Sequence, residues 1–152
     1  CWHHLAWHWV DGQRYLRVWV DGKTGGRWLI ARQAAIEVLE RCHQRQQDIQ
    51  HLSFEELFTQ RVRHRMFRFV TGYQPRTFIG AFRRLLIDGG LLENHDGRRR
   101  TLYSLRHTYA TAELLAGTDI HTLARQMGTS VLMLERHYSK LSATLVAGRL
   151  AG

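Results

Sequence analysis

A mainly helical protein with a small antiparallel β-sheet near its N-terminus is predicted by three features of the sequence. Tyr15, Arg17 and Trp19 alternate with Leu16, Val18 and Val20, and a second short apolar run, Arg27 to Ala31, follows the glycine-rich segment Asp21 to Gly26. Residues 32 to 49 contain neither glycine nor proline. In the last third, apolar residues recur at helical intervals in blocks that end at Gly117 and Gly128.

Each element has its own local reason. The alternating runs read as a β-hairpin with Lys23 at its glycine-flanked tip, where residues free to take positive φ are needed. Trp2, Leu5, Trp7 and Trp9 read as a core segment turning into a strand. Across residues 32 to 49, Ala35, Leu39 and Cys42 share a helical face, and Glu37 stands four residues before Arg41, where the two charges attract. Ser53 followed by Glu56 has the spacing of a capping box and opens a short helix through Leu57 and Phe58. After Pro75, a face of Phe78, Ala81, Phe82 and Leu85 runs to a stop at Gly89-Gly90. Asn94 to Arg100 reads as a basic loop. Leu105, Tyr109, Ala112 and Leu115 then share one face, and Ile120, Leu123, Ala124 and Met127 another. Ser130 is placed to cap a last helix that carries Leu134, Tyr138, Leu141 and Leu145.

A chain of 152 residues is long enough to bury a core without staples. Its two cysteines, Cys1 and Cys42, are too few for a disulfide framework, which points to a reducing, cytoplasmic setting. No apolar run approaches the length of a membrane span. The charge says more. The formal net charge is +9, and of the 22 basic residues only Lys23 and Lys140 are lysines. Arginine's planar fork binds two phosphate oxygens at once, so a phosphate-bearing partner is expected. Cys1, His3, His4 and His8 cluster near the start, but no second Cys/His pair stands at ligand spacing, so no metal site and no cofactor are expected.

Leu105-Arg106-His107-Thr108-Tyr109-Ala110-Thr111 puts two potential cations at the start of a helix. Helix N-termini repel cations, so the placement makes chemical sense if an anion shares the site. This stretch resembles the Arg-His-Thr box of the tyrosine recombinases, the phage-integrase family of DNA strand-exchange enzymes. Glu135-Arg136-His137-Tyr138-Ser139-Lys140-Leu141 resembles the segment bearing that family's nucleophile, and Tyr138 follows Arg106 at the family's separation of 32 residues (138 − 106). Thr118 to Gly128 looks like the family's connector between the two boxes. Gly22-Lys23-Thr24-Gly25-Gly26-Arg27 resembles the β-turn that carries the catalytic lysine.

The resemblance implies the catalytic-domain fold of a tyrosine recombinase, N-terminally truncated: a partial catalytic domain spanning 1–152, lacking the N-terminal DNA-clamping domain and the segment with the first catalytic arginine. It implies a site-specific recombinase or integrase of a mobile element that cuts and rejoins double-stranded DNA through a 3′-phosphotyrosyl intermediate, without a metal. Tyr138 would attack the scissile phosphate, Arg106 would clamp a nonbridging oxygen, and Lys23 would protonate the departing 5′-oxygen. Two positions depart from the family. Tyr103 stands where histidine is common three residues before Arg106, and Thr129 stands where histidine or tryptophan is common after Gly128; neither side chain carries a proton near neutrality as imidazole does. The segment 141–150 would pack on a neighbouring protomer of a DNA-bound tetramer in the bacterial or phage nucleoid.

Arg76, Arg83, Arg98, Arg99 and Arg100 are the leading candidates for contact with the DNA backbone, among a wider set that includes Arg61, Arg63, Arg65, Arg68 and Arg84. His107 and His137 each adjoin a site residue along a helix, and neighbours in a helix point about 100° apart, so both are expected to be structural or DNA-facing. A competing function is a noncatalytic helix-turn-helix module built from Ile120 to Tyr138. It leaves the Gly22 to Arg27 turn and the Leu105 to Thr111 box unexplained, and Val131 to Leu134 are poor base readers.

Overall fold

In the computed structural model, which describes residues 1–22 and 25–138, strands β1 (Leu5–Val10), β2 (Gln13–Val20) and β3 (Arg27–Ile30) form one antiparallel sheet in that order. The turn between β1 and β2 is Asp11-Gly12, both at positive φ, a two-residue turn whose twist matches that of paired strands. Pairing of Leu5 with Val18 and Trp7 with Leu16 sets the register. Because successive side chains alternate sides, those four residues face the core, and Tyr15, Arg17, Trp19 and Trp28 lie on the other face. The predicted hairpin is thus present as β2 and β3; its tip, Lys23, lies outside the described residues.

The chain divides into two compact units, Cys1–Arg76 and Thr77–Gly152. In the first, the sheet packs with helix α1 (Gln33–Gln44) and the short helix α2 (Glu56–Thr59), burying Trp2, Leu16, Ile36, Leu39, Leu57 and Phe58. Helix α1 is shorter than the residue 32 to 49 span predicted. Ile36, Leu39 and His43 are its buried residues, and after Gln44 the chain turns back so that His43 Nε2 hydrogen-bonds the Ile49 carbonyl at 2.9 Å. The side chain of Gln46, also buried, accepts from Trp2 Nε1 and Arg68 Nε and donates to the Met66 carbonyl. A buried glutamine held by these partners specifies the turn, because leaving them unpaired costs about 1–3 kcal/mol each.

The Ser53 capping box forms as expected: Ser53 N–H donates to Glu56 Oε2 at 2.7 Å, and Glu56 N–H donates to Ser53 Oγ. Those donors to its carboxylate lower the pKa of Glu56. Arg68, one of the wider set of candidates for phosphate contact, is committed within the fold. Its side chain is 9% exposed and it donates to Asp48 at 2.6 Å, which holds the Asp48 carboxyl below its usual range. Arg84 is likewise paired, with Asp88 one turn along its helix.

In the second unit, helix α3 (Ile79–Asp88) presents Phe82 and Leu86 inward, whereas Leu85 is 67% exposed. Apolar residues at 78, 79, 82, 85, 86 and 87 fit two overlapping stripes, and periodicity alone cannot choose between them. The Gly89-Gly90 stop is present: Gly90 has φ 65°, and Leu91 N–H reaches back to the Leu86 carbonyl at 2.7 Å. The basic loop follows, folded around Asn94, whose Oδ1 accepts from the N–H groups of Asp96 and Arg98.

Helices α4 (Leu102–Leu115) and α5 (Ile120–Met127), with the helical residues 131–138, build the second core from Ala110, Leu123, Ala124, Met127, Leu134 and Tyr138. Full burial of a side chain such as Leu123 is worth about 1.5–3 kcal/mol. The Asp119 carboxylate accepts from Thr122 N–H at the start of α5, and Gly128 ends that helix in the left-handed conformation. Ser130 Oγ accepts from Met133 N–H at 3.2 Å, so the expected cap forms. Leu141, Leu145 and the rest of 141–150 lie outside the described residues. Among those described, no helix is long and apolar enough to cross a membrane.

Candidate active site

Helix α4 does not bury the face that its leucines mark. Leu105 and Leu115 are more than half exposed, while Ala110 is fully buried and Leu114 packs beside it. Ala110 is the buried residue of the inward face, with Tyr109 and Leu114 packed beside it, while Tyr103, Arg106 and His107 line a cleft at its edge, Tyr103 and His107 exposed. A turn of the helix by about one residue relative to the Leu105 face half-buries Arg106 and leaves His107 at the exposed rim of the cleft. The small residue Ala110 allows close approach there.

Three elements converge on that cleft. The end of α5 supplies Met127, the Gly128 turn presents Thr129, and the helical residues 131–138 supply Met133, Leu134, His137 and Tyr138. Of the residues singled out in the sequence, Tyr103, Arg106, Thr129 and Tyr138 all line this one pocket. It is a shallow cleft of about 30 Å³ that opens to solvent.

Arg106 donates through Nη1 to the Met127 carbonyl at 2.9 Å. Gly128 turns the chain just after that carbonyl, so the last turn of α5 offers an acceptor that the helix does not use. Among the described residues no carboxylate stands within ion-pair distance of Arg106, so its charge is held in place by a neutral group. A guanidinium positioned without a counter-charge is suited to an anionic ligand.

Tyr138 is 8% exposed, its ring set among Leu134, Met127 and Ala110. Its hydroxyl stands 2.6 Å from His107 Nδ1, a short hydrogen bond. Burial pushes the pKa of Tyr138 above its ordinary value, and Tyr103 pushes the same way, while the Arg106 charge opposes both. The phenol is therefore neutral at physiological pH. Its ionisation requires a proton acceptor, and Nδ1 of a neutral imidazole is within reach of the proton.

His107 is the residue that sequence reasoning missed. The objection that it points away from Arg106 concerns residues adjacent on one helix, and Tyr138 lies on another. His137 lines the pocket too, its ring 6.1 Å from that of His107. A signal was present in the sequence, since positions 103, 107, 110 and 114 make a helical stripe.

A second cavity of about 440 Å³ opens beside the first and shares Tyr103 as a wall. Phe82 of α3, Leu92 and Leu102 line it, with Arg83, Arg99 and Arg100. Arg100 donates to the Leu91 and Glu93 carbonyls, and Arg99 is loosely paired with Glu93 at 3.7 Å. Arg98 is exposed on the neighbouring loop, and Arg76 ends the first unit. The structure thus gathers Arg83, Arg99 and Arg100 in one place. Among the described residues no group of acidic, histidine or cysteine side chains is arranged to hold a metal. In comparisons with known proteins, no protein-family model matches the chain, and no curated protein or solved structure matches it either.

Proposed function

We propose that the second unit carries a DNA phosphoryl-transfer centre of the tyrosine recombinase kind, with Tyr138 as nucleophile, Arg106 as the phosphate clamp and His107 as the proton acceptor. The observation that carries this reading is the convergence of the three side chains, 31 and 32 residues apart in sequence (138 − 107 and 138 − 106), on one pocket with a 2.6 Å bond between nucleophile and base.

The chemistry follows from the groups. As Tyr138 Oη attacks phosphorus, its proton passes to His107 Nδ1, the P–O5′ bond breaks, and the DNA 3′ end is left on the tyrosine. The phosphodiester energy is retained in that link, so the 5′-hydroxyl of another strand can attack in turn and release the enzyme without ATP. Negative charge grows on the nonbridging oxygens in the transition state, where the fixed Arg106 charge stabilises it. The departing 5′-oxygen also needs a proton. By resemblance that donor is Lys23, which lies outside the described residues.

To clamp a phosphate, Arg106 would exchange the Met127 carbonyl for a phosphate oxygen. Until then the nucleophile is neutral and buried. Arg83, Arg98, Arg99 and Arg100 would hold the DNA backbone in the same unit. The assembly that the resemblance implies, a tetramer on DNA joined through 141–150, belongs to this proposal as well. A helix-turn-helix reading gains little from residues 131–138. The first exposed positions after the Ser130 cap are Leu132 and Met133, which offer no polar group to a base edge, and the polar Glu135, Arg136 and His137 follow only in the second half.

The test uses a pool of nicked, end-labelled duplexes randomised around the nick. The reading requires a protein–DNA adduct that survives denaturant with the native chain and disappears in Tyr138→Phe. An adduct that persists in Tyr138→Phe would overturn it.

A further inference from the structure

Beside the tyrosine pocket, the 440 Å³ cavity is unexplained by phosphoryl transfer, which needs only the backbone of the DNA. Its volume lies in the range of sites for whole small molecules, about 300–1,000 Å³, and far above what an ion needs. Its wall is overwhelmingly apolar, built from Phe82, Leu92, Leu102 and the ring of Tyr103. Leaving such a wall in water is unfavourable, so an occupant with a flat or apolar body is favoured.

Charge selects the class of occupant. Arg83, Arg99 and Arg100 belong to the same cavity and come from two separate stretches of chain, α3 and the loop before α4. Arg83 has no ion-pair partner among the described residues, and Arg99 is held only loosely by Glu93. Consecutive phosphates of a nucleic-acid strand can engage cations that come from separate stretches of chain. The apolar interior then matches the base between those phosphates. Placement agrees: Tyr103 separates this cavity from Tyr138, so an occupant lies one side chain from the proposed reaction.

We propose that this cavity receives an unpaired nucleobase of the DNA strand, turned out of the stack next to the phosphate that Tyr138 attacks. The base lies against Phe82 and Tyr103, and its flanking phosphates lie on the arginines. This rests on the reading of the second unit as a DNA-cleaving site. Turning a base out costs stacking and pairing energy, and the cost is smallest where the base is already unpaired. The cavity therefore discriminates mispaired or bulged DNA from a perfect duplex near the cut.

The test compares three forms of one nicked duplex selected from the randomised pool: fully paired, carrying one unpaired base beside the nick, and carrying an abasic residue there. Binding of the full chain is expected to tighten at least about tenfold for the unpaired base and to lose that gain at the abasic residue. Phe82→Ala, which enlarges the cavity, and Leu102→Trp, which fills its mouth, should each abolish the gain. Both should bind the paired duplex as the native chain does, which separates loss of the site from loss of folding. Equal affinity for all three duplexes, or a gain that survives Leu102→Trp in a folded protein, would overturn the proposal. Tyr138 adduct formation on the paired duplex is measured alongside. An adduct without the unpaired-base gain overturns this inference alone, and a gain without an adduct upholds base capture while the cleavage reading fails.

Discussion

The hydroxyl of Tyr138 and Nδ1 of His107 lie 2.6 Å apart, joining the last described residue of the chain to the first half of helix α4. That bond gives the buried phenol a partner able to take its proton. It also ties the helical residues 131–138 to α4, so the contact that the proposed chemistry would use also helps hold the second core together. Two roles of this kind can be separated by experiment, because packing is indifferent to protonation and proton transfer is not.

Replacing His107 by glutamine keeps a polar partner near Tyr138 but removes the base. Adduct formation on nicked DNA should slow by about a hundredfold or more, the usual contribution of a positioned general base. DNA affinity should be unchanged.

Tyr138 should ionise above the ordinary phenol value of 10 in an ultraviolet titration read against Tyr138→Phe, since burial and Tyr103 raise its pKa. The sign for stability follows. Below about pH 10 the phenol is neutral in both folded and unfolded chains, and nothing is lost. Above it the unfolded chain releases the proton first, so stability falls as the pH climbs through the folded value. Tyr138→Phe should remove that part of the alkaline slope in denaturant titrations.

Arg106→Lys keeps a charge but neither the fork nor the reach to the Met127 carbonyl. The expected result is near-native binding of DNA with adduct formation reduced about 10²–10³-fold, as when a single transition-state donor is lost. Equal loss of binding and of reaction would assign Arg106 to ground-state attachment instead.

Ser130→Ala removes the acceptor for Met133 N–H at the start of the segment that carries Tyr138. Urea denaturation should show a loss of about 0.5–2 kcal/mol, and Ser130→Asp should recover most of it.

Local signals told the sequence's story well wherever chemistry is local. The hairpin, the Ser53–Glu56 box, the Gly89-Gly90 stop, the Leu123, Ala124 and Met127 face and the Ser130 cap all depend on residues within one turn or one strand pair, and all are present. The length of α1 was not legible, because it is ended by a tertiary device, His43 and Gln46 buried under Trp2. Nor was the facing of α3 and α4: leucines mark one stripe, yet the buried one is set by what packs opposite. That same facing hid the contact of His107 with Tyr138. Arg106, Tyr138, Tyr103 and Thr129 were singled out by the resemblance and do share a pocket, while the pairing of Arg68 was not legible because its partner Asp48 lies 20 residues away.

The central claim is that Tyr138 becomes covalently joined to DNA, and locating the attachment tests it most directly. Adduct trapped on the nicked duplex pool is digested with trypsin and nuclease, and the peptide bearing a nucleotide is sequenced by mass spectrometry. Cleavage after Arg136 and Lys140 places Tyr138 in the peptide 137–140, which should carry the nucleotide through the tyrosine oxygen. A nucleotide on any other residue, Tyr103 included, would contradict the account, and so would salt-sensitive DNA binding that yields no adduct at all.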